Sequence, residues 1–283
     1  MKGIINLNKP KNWTSRDAVN KVRSIFHEKQ IGHMGTLDPQ GEGVLLIGLG
    51  KATRLFDAFL DKDKVYRAHF SFGYETDTLD GDGQTIATCE KIPTDEEIES
   101  VIPSLVGKID QLPPKYSAKK IGGAKAYDLA RRGVEFEIKP AQVEIYSIKV
   151  LERKDNTIFV EIHCSAGTYI RSICRDIAYA TGSLATMTSI TRIRAGKFNI
   201  EDSVTIEQLQ SNQDSALITV EEALADFPRF DLPDADYERF SNGIKIYPKA
   251  TPPAPFTVYC KDELFGLGEV VNGVLKIKTY LRD

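Results

Sequence analysis

The chain has 283 residues, 41% of them hydrophobic and 27% charged, and a formal net charge of −3. That balance fits an ordinary water-soluble globular protein of one large domain, or of a large domain and a small one. No apolar run approaches the ~20 residues needed to span a bilayer. The opening MKGIINLNKP lacks a signal-peptide core, and the four dispersed cysteines hold no CxxC pair, so reduced thiols in the cytoplasm are expected.

In chain order, GIINLNKP reads as a strand ended by Pro10. Thr14 stands three residues before Asp17, a capping-box start for a helix in which Ala18, Val19, Val22, Ile25 and Phe26 recur at helical spacing. After QIGHMGTLDPQGEG comes VLLIGLG, a buried strand, and KATRLFDAFL reads as a second helix. KVYRAHFSFGY alternates, with Tyr66, Ala68, Phe70 and Phe72 on one face and Arg67, His69 and Ser71 on the other. The loop ETDTLDGDGQ leads to a helix from about Thr94, with Pro103 distorting its last turn. A basic loop, QLPPKYSAKKIGGAKAY, enters a helix at AKAYDLARRG. QVEIYSIKVL and TIFVEIHCS pair across ERKDN, and TYIRSICRDIAYATG is a helix stopped by Gly182.

A helix near TVEEALADF precedes FDLPDAD, a boundary that divides the chain into residues 1–230 and 231–283. The second part is strand-rich, with Asn272-Gly273 between valines as a hairpin signal. Strands and helices do not alternate one for one. The expected class is therefore α+β, a mixed and largely antiparallel central sheet plus a small C-terminal β domain.

The net charge is unevenly spread. Residues 201–240 hold 11 acids and 2 bases, leaving +6 on the rest of the chain, and Lys108–Gly133 alone carries +5. A basic face beside an acidic connector can still draw phosphates, although solvated charge is the blander reading.

Conventional cofactor motifs fail. GEGVLLIG lacks the third glycine of a dinucleotide loop, and no GxxxxGK[ST] occurs. The acids of DTLDGDG fall at the wrong positions for calcium, and the four histidines lack partners at i+3 or i+4 for zinc. What remains is Asp38, before a proline and hemmed by Gly35, Gly41 and Gly43. A carboxylate so constrained suits a nucleophile or base, though an Asp-Pro turn is often only a turn. Arg171, one turn into its helix, could keep that acid ionised and oriented, or could form a solvated i, i+4 pair with Arg175. Tyr66 could stack on a base or simply fill the core.

Taken together, GHMGTLDPQGEGVL resembles the signature loop of the bacterial tRNA pseudouridine-55 synthases, the TruB family. LNKPKNWTSRDAVNKVR, KVYRAHFSFGYETDTLDGDG, QLPPKYSAKKIGGAKAYDLARRG and EIHCSAGTYIRSI resemble four further blocks of that family, in the same order. The last 50 or so residues resemble a shortened PUA domain, an RNA-binding β module. The resemblance implies the pseudouridine synthase fold and isomerisation of uridine 55 in the tRNA T-loop. It places Asp38 on the catalytic aspartate, Tyr66 on the tyrosine that stacks on the target base, and Arg171 on the aspartate's partner. His33 falls on a histidine that contacts RNA near the flipped nucleotide, Tyr169 on a substrate-contacting tyrosine, and Ile190 on an apolar position of the pocket. Three positions depart from the family pattern: Asn12 replaces a glycine, Thr186 a histidine and Thr191 an arginine.

The charge count adds Lys9, Lys115, Lys119, Lys120 and Arg131 as expected phosphate contacts on the T-loop and stem. No cofactor or metal is called for, since the product is an isomer, and no protein partner is implied. A tRNA-binding or folding protein with an idle pocket, and a glycoside hydrolase pairing Asp38 with Asp77, are the alternatives.

Overall fold

The computed structural model describes residues 3–213 and 216–282, so Asp214 of the acidic segment lies outside it. The N-terminal part runs β1 (Gly3–Lys9), α1 (Ser15–Phe26), β2 (Ile31–His33) and β3 (Glu42–Leu49). A 3₁₀ segment, Gly50–Leu55, then leads into the short α2 (Phe56–Leu60). KATRLFDAFL is thus not one helix. Its first half winds more tightly, and Leu55 and Phe59 are buried together.

The middle comprises β4 (Lys64–Phe72), β5 (Tyr74–Thr76), β6 (Thr85–Thr88), α3 (Asp95–Leu105), β7 (Gly107–Gln111), β8 (Lys120–Ile121), β9 (Ala124–Lys125) and α4 (Ala126–Arg131). Next come β10 (Ala141–Lys154), β11 (Thr157–Cys164), α5 (Ile170–Ala180), β12 (Ala185–Ala195), β13 (Phe198–Asn199), α6 (Ile206–Ser211) and α7 (Val220–Ala223). The remainder is β14 (Arg229–Leu232), α8 (Tyr237–Ser241), β15 (Phe256–Cys260), β16 (Glu263–Val271) and β17 (Val274–Tyr280).

Local chemistry accounts for the ends of these elements. Thr14 and Asp17 satisfy each other's backbone N–H groups at 2.9 and 3.0 Å, and Thr94–Glu97 and Thr219–Glu222 repeat the device at α3 and α7. Asn272 and Gly273 both take positive φ, 53° and 77°, the two-residue turn that matches strand twist between β16 and β17. Asn12 sits at φ 66°, as an asparagine can.

The strand order β1-β3-β12-β4-β11-β10-β7 forms the spine of a nine-stranded sheet, with β2 and β13 attached at β3 and β12. Along this path β3 and β12 are parallel and the other neighbours antiparallel, so the mixed, largely antiparallel α+β expectation holds. One face of β4, β11 and β12 buries Phe70, Ile158, Val160 and Met187 against Ile173 and Ile177 of α5. Ala18, Val19 and Val22 of α1 cover the β1–β3 end. At roughly 1.5–3 kcal/mol for each large apolar side chain removed from water, these layers hold the sheet in place.

A second, four-stranded sheet, β14-β15-β16-β17, begins at Arg229. Leu264, Leu267 and Leu281 share a buried cluster with Ile4, Val44 and Phe227, so this sheet is docked on the large one by a common core. Among the described residues no helix is long and apolar enough to cross a membrane.

Candidate active site

Asp38 sits in the excursion between β2 and β3, and that loop is tied down from several sides. Ser15 Oγ donates to Leu37 O and accepts from Leu37 N, both at 3.0 Å. Asn12 N donates to Pro39 O at 2.8 Å and Gly41 N to Asp38 O at 2.9 Å. Just beyond, Gly43 takes φ +99° where β3 passes β12, and a Cβ there would lie 2.4 Å from Arg192 O. Only glycine lets the two strands approach so closely.

The ammonium of Lys9 reinforces the loop from behind. Lys9 is fully buried and donates to Trp13 O at 2.7 Å, Pro10 O at 3.0 Å and Pro39 O at 3.4 Å. This corrects the expectation that Lys9 grips a phosphate, since all its partners are internal carbonyls. Burial, with Arg192 nearby, lowers its pKa to about 8.

Arg171 enters from the first turn of α5. Gln111, itself buried at the end of β7, fixes that helix start by accepting from Tyr169 N at 2.8 Å and donating to Tyr169 O at 3.1 Å. The guanidinium lies inward, its side chain 7% exposed, with Nη2 on Asp38 Oδ2 at 2.8 Å and Nη1 on Asp80 Oδ2 at 3.2 Å. Carbonyls of Thr78 and Tyr116 accept from the same two nitrogens at 3.0 and 3.1 Å. The cation therefore has no freedom to leave. Asp38 keeps 42% of its side chain exposed, so the held carboxylate stays open to solvent.

Tyr66, on β4, stands across from Ile162 on one side and Arg192 on the other. Burial pushes its phenol up, with Arg192 opposing. Ile190 is buried opposite Ala68 in the same cluster that Tyr66 packs against, so it backs this wall. Burial likewise raises the Tyr169 phenol, which lies in the fields of Asp38 and Arg171. His33 is half-buried, and burial together with Arg192 lowers its imidazole from the ordinary value. The fold thus pairs Asp38 with Arg171, sets Tyr66 and Tyr169 in the field of Asp38 and His33 in that of Arg192, and places Ile190 in the cluster against which Tyr66 packs. Lys119 lies in the basic segment, where its Nζ donates to Lys139 O at 2.6 Å.

Two site residues escaped the sequence reading. Asp80 belongs to the DTLDGDG loop, which the sequence reading rejects for calcium and quotes within a family block without singling out Asp80; burial raises its carboxyl despite Thr78 and Arg171. Arg192 lies two residues after Ile190 on the same strand face. That phase was the available signal, because an arginine on a buried face must be partnered inside.

Comparisons with known proteins show the family of the chain. The model of the TruB family pseudouridylate synthase N-terminal domain matches residues 23–170, and that of the tRNA pseudouridylate synthase B C-terminal domain matches residues 171–227. A tRNA pseudouridine synthase B of Caulobacter sp. (strain K31) is 40% identical over 250 residues, covering 86% of this chain and 81% of the relative. One from Clostridium tetani is 39% identical over 291 residues, covering 99% and 100%. Among solved structures, a Cbf5-Nop10-Gar1 complex matches with a TM-score of 0.75 at 25% identity, over 98% of this chain and 84% of the matched one. An H/ACA RNP bound to a substrate RNA matches at 0.73 and 24% identity, over 99% and 85%, and supports the fold alone. The chain belongs to the TruB family of pseudouridylate synthases.

Proposed function

We propose that this protein is a tRNA pseudouridine synthase that isomerises uridine 55 of the T-loop, acting in the cytoplasm. The observation that carries the reading is the Arg171 bridge. It is a buried guanidinium holding Asp38 at 2.8 Å, with the carboxylate still partly exposed and its charge felt by the Tyr66 and Tyr169 phenols.

A uridine stacked in a folded loop hides C1′, C5 and C6, so it must be flipped out at a cost of a few kcal/mol. Stacking on Tyr66 recovers about 1–3 kcal/mol, with Ile190 as apolar backing, Tyr169 as a second contact and His33 beside the vacated place. Asp38, ionised and fixed by Arg171, acts on the sugar or base as the N1–C1′ bond breaks. The uracil turns and C5 bonds to C1′ as any bond from Asp38 to that carbon breaks. The C5–H proton then passes to the Tyr66 oxygen, as phenolate, and the C–H electron pair restores the C5–C6 double bond. The pair released from C6=N1 takes a proton at N1 from water, and the hydroxide so formed takes the proton back from Tyr66, so the product is an isomer of the substrate and needs no redox partner.

Exposed Lys115 and Lys120, with Lys119 and Arg131, supply the charge that meets the T-loop and stem phosphates. In this reading the chain up to about Arg229 is catalytic, and the four-stranded sheet after it is a short PUA-like module that adds grip on the tRNA. The test is to incubate the protein with unmodified tRNA and map pseudouridine by position. Conversion at position 55 supports the reading. Binding with no pseudouridine formed would leave a tRNA-binding protein instead, and release of free uracil would favour a hydrolase.

A further inference from the structure

Arg192 is 2% exposed, and its guanidinium gives Nε to Val44 O at 2.7 Å, Nη1 to Thr36 O at 3.3 Å and Nη2 to Gly35 O at 3.3 Å. A guanidinium carries five N–H groups, so one on each terminal nitrogen remains after these three. Among the described residues its partners are those carbonyls and the Tyr66 phenol, and none is a carboxylate. This is unlike Arg171, which holds two carboxylates.

A buried cation without an anion is costly, and it acts on everything near it. Arg192 helps push down the ammonium groups of Lys9 and Lys64 and the imidazole of His33. The same field favours any neighbouring group that becomes negative. Tyr66 is that neighbour, its cross-strand partner in the register. Of the groups that face the phenol, Cys164 and Asp38 disfavour its ionisation, whereas Arg192 favours it.

We propose that Arg192 is a positioning residue that supplies the counter-cation for a Tyr66 phenolate, while pinning the Gly35–Thr36 backbone that leads to Asp38. One side chain then sets two parts of the site, the carboxylate's loop and the proton acceptor. The proposal rests on the pseudouridine-forming reading, in which Tyr66 takes the C5 proton. An unassisted buried phenol is a poor base near neutrality, because its ordinary pKa is already about 10.

The experiment compares wild type, Arg192→Gln and Arg192→Lys in single-turnover pseudouridine formation from about pH 6 to about pH 10. Arg192→Gln should slow the reaction about tenfold or more at neutral pH and displace the rising limb upward by about one pH unit or more. Arg192→Lys keeps a cation to preserve folding and should give a smaller displacement. Installing 3-fluorotyrosine at position 66, whose phenol is more acidic, should recover rate in Arg192→Lys near neutrality. A merely structural role predicts pH profiles that superimpose after scaling and no recovery, and either result overturns the proposal.

Ultraviolet titration of the free protein, with Tyr66→Phe to isolate the Tyr66 signal, needs no turnover. An upward shift of that signal in Arg192→Gln or Arg192→Lys supports the coupling, and an unchanged one refutes it. If wild type shows the coupling but makes no pseudouridine, the functional reading fails and the Arg192–Tyr66 relation stands.

Discussion

Arg171 holds Asp38 through a single nitrogen, Nη2 to Oδ2 at 2.8 Å, and gives its other terminal nitrogen to Asp80 at 3.2 Å. The planar fork is thus shared between two carboxylates and two carbonyls, a pattern that a point charge cannot reproduce. Arg171→Lys should lower the rate of pseudouridine formation about a hundredfold while tRNA affinity changes little. Single-turnover assays and filter binding separate the two; activity within twofold of wild type removes the ion pair from the mechanism.

Gly43→Ala places a Cβ 2.4 Å from Arg192 O at a φ of +99°. The parallel contact of β3 with β12 must then open, at a cost of about 3 kcal/mol, and the Asp38 loop shifts with it. Urea denaturation should show the loss, with reduced activity even where the protein remains folded. An unchanged midpoint would mean that the two strands have slack there.

Lys9 titrates at about 8 when folded, against an ordinary value of 10.5. Below about pH 8 both states keep the proton, and Lys9 adds no pH dependence. Between about 8 and 10.5 the unfolded chain holds a proton that the folded chain has shed, so stability climbs with pH. Lys64, lowered to about 8 by burial, contributes in the same sense. Lys9→Met should therefore flatten, though not abolish, the rise in the urea midpoint between about pH 7.5 and about pH 9.5. A variant with the wild-type slope would place the titration elsewhere.

Much of this fold is legible in the chain because its signals are local. The capping pairs at Thr14, Thr94 and Thr219, the alternation of Tyr66 to Phe72 and the Asn272-Gly273 turn each depend on residues within a few positions. The strand β12 was not, although it lies between β3 and β4 near the middle of the sheet. Its residues SLATMTSITRIRAG mix threonine and arginine, and their place is set by partners far away in sequence, such as Gly43 and Tyr66. The same distance hid Arg192 and Asp80. Family resemblance singled out Asp38, Tyr66 and Arg171 as candidates, whereas a charge count could not show that Lys9 points inward. Composition counts charges without giving their direction, and the Lys9 ammonium faces Trp13 O.

Lys115 and Lys120 are exposed in the basic segment. Replacing both with alanine should weaken tRNA binding and reduce the slope of log affinity against log salt by about 1.5–2, as expected for two lost phosphate contacts. Conversion at saturating tRNA should persist. A slope that does not move would put the RNA backbone on another face.

The most direct measurement maps pseudouridine in unmodified tRNA after incubation with wild type and with Asp38→Asn at matched occupancy. Wild type should convert position 55, and Asp38→Asn should bind the same tRNA with a rate lower by about three orders of magnitude. Undiminished conversion by Asp38→Asn, or none by wild type, would contradict the assignment of this carboxylate as the reactive group.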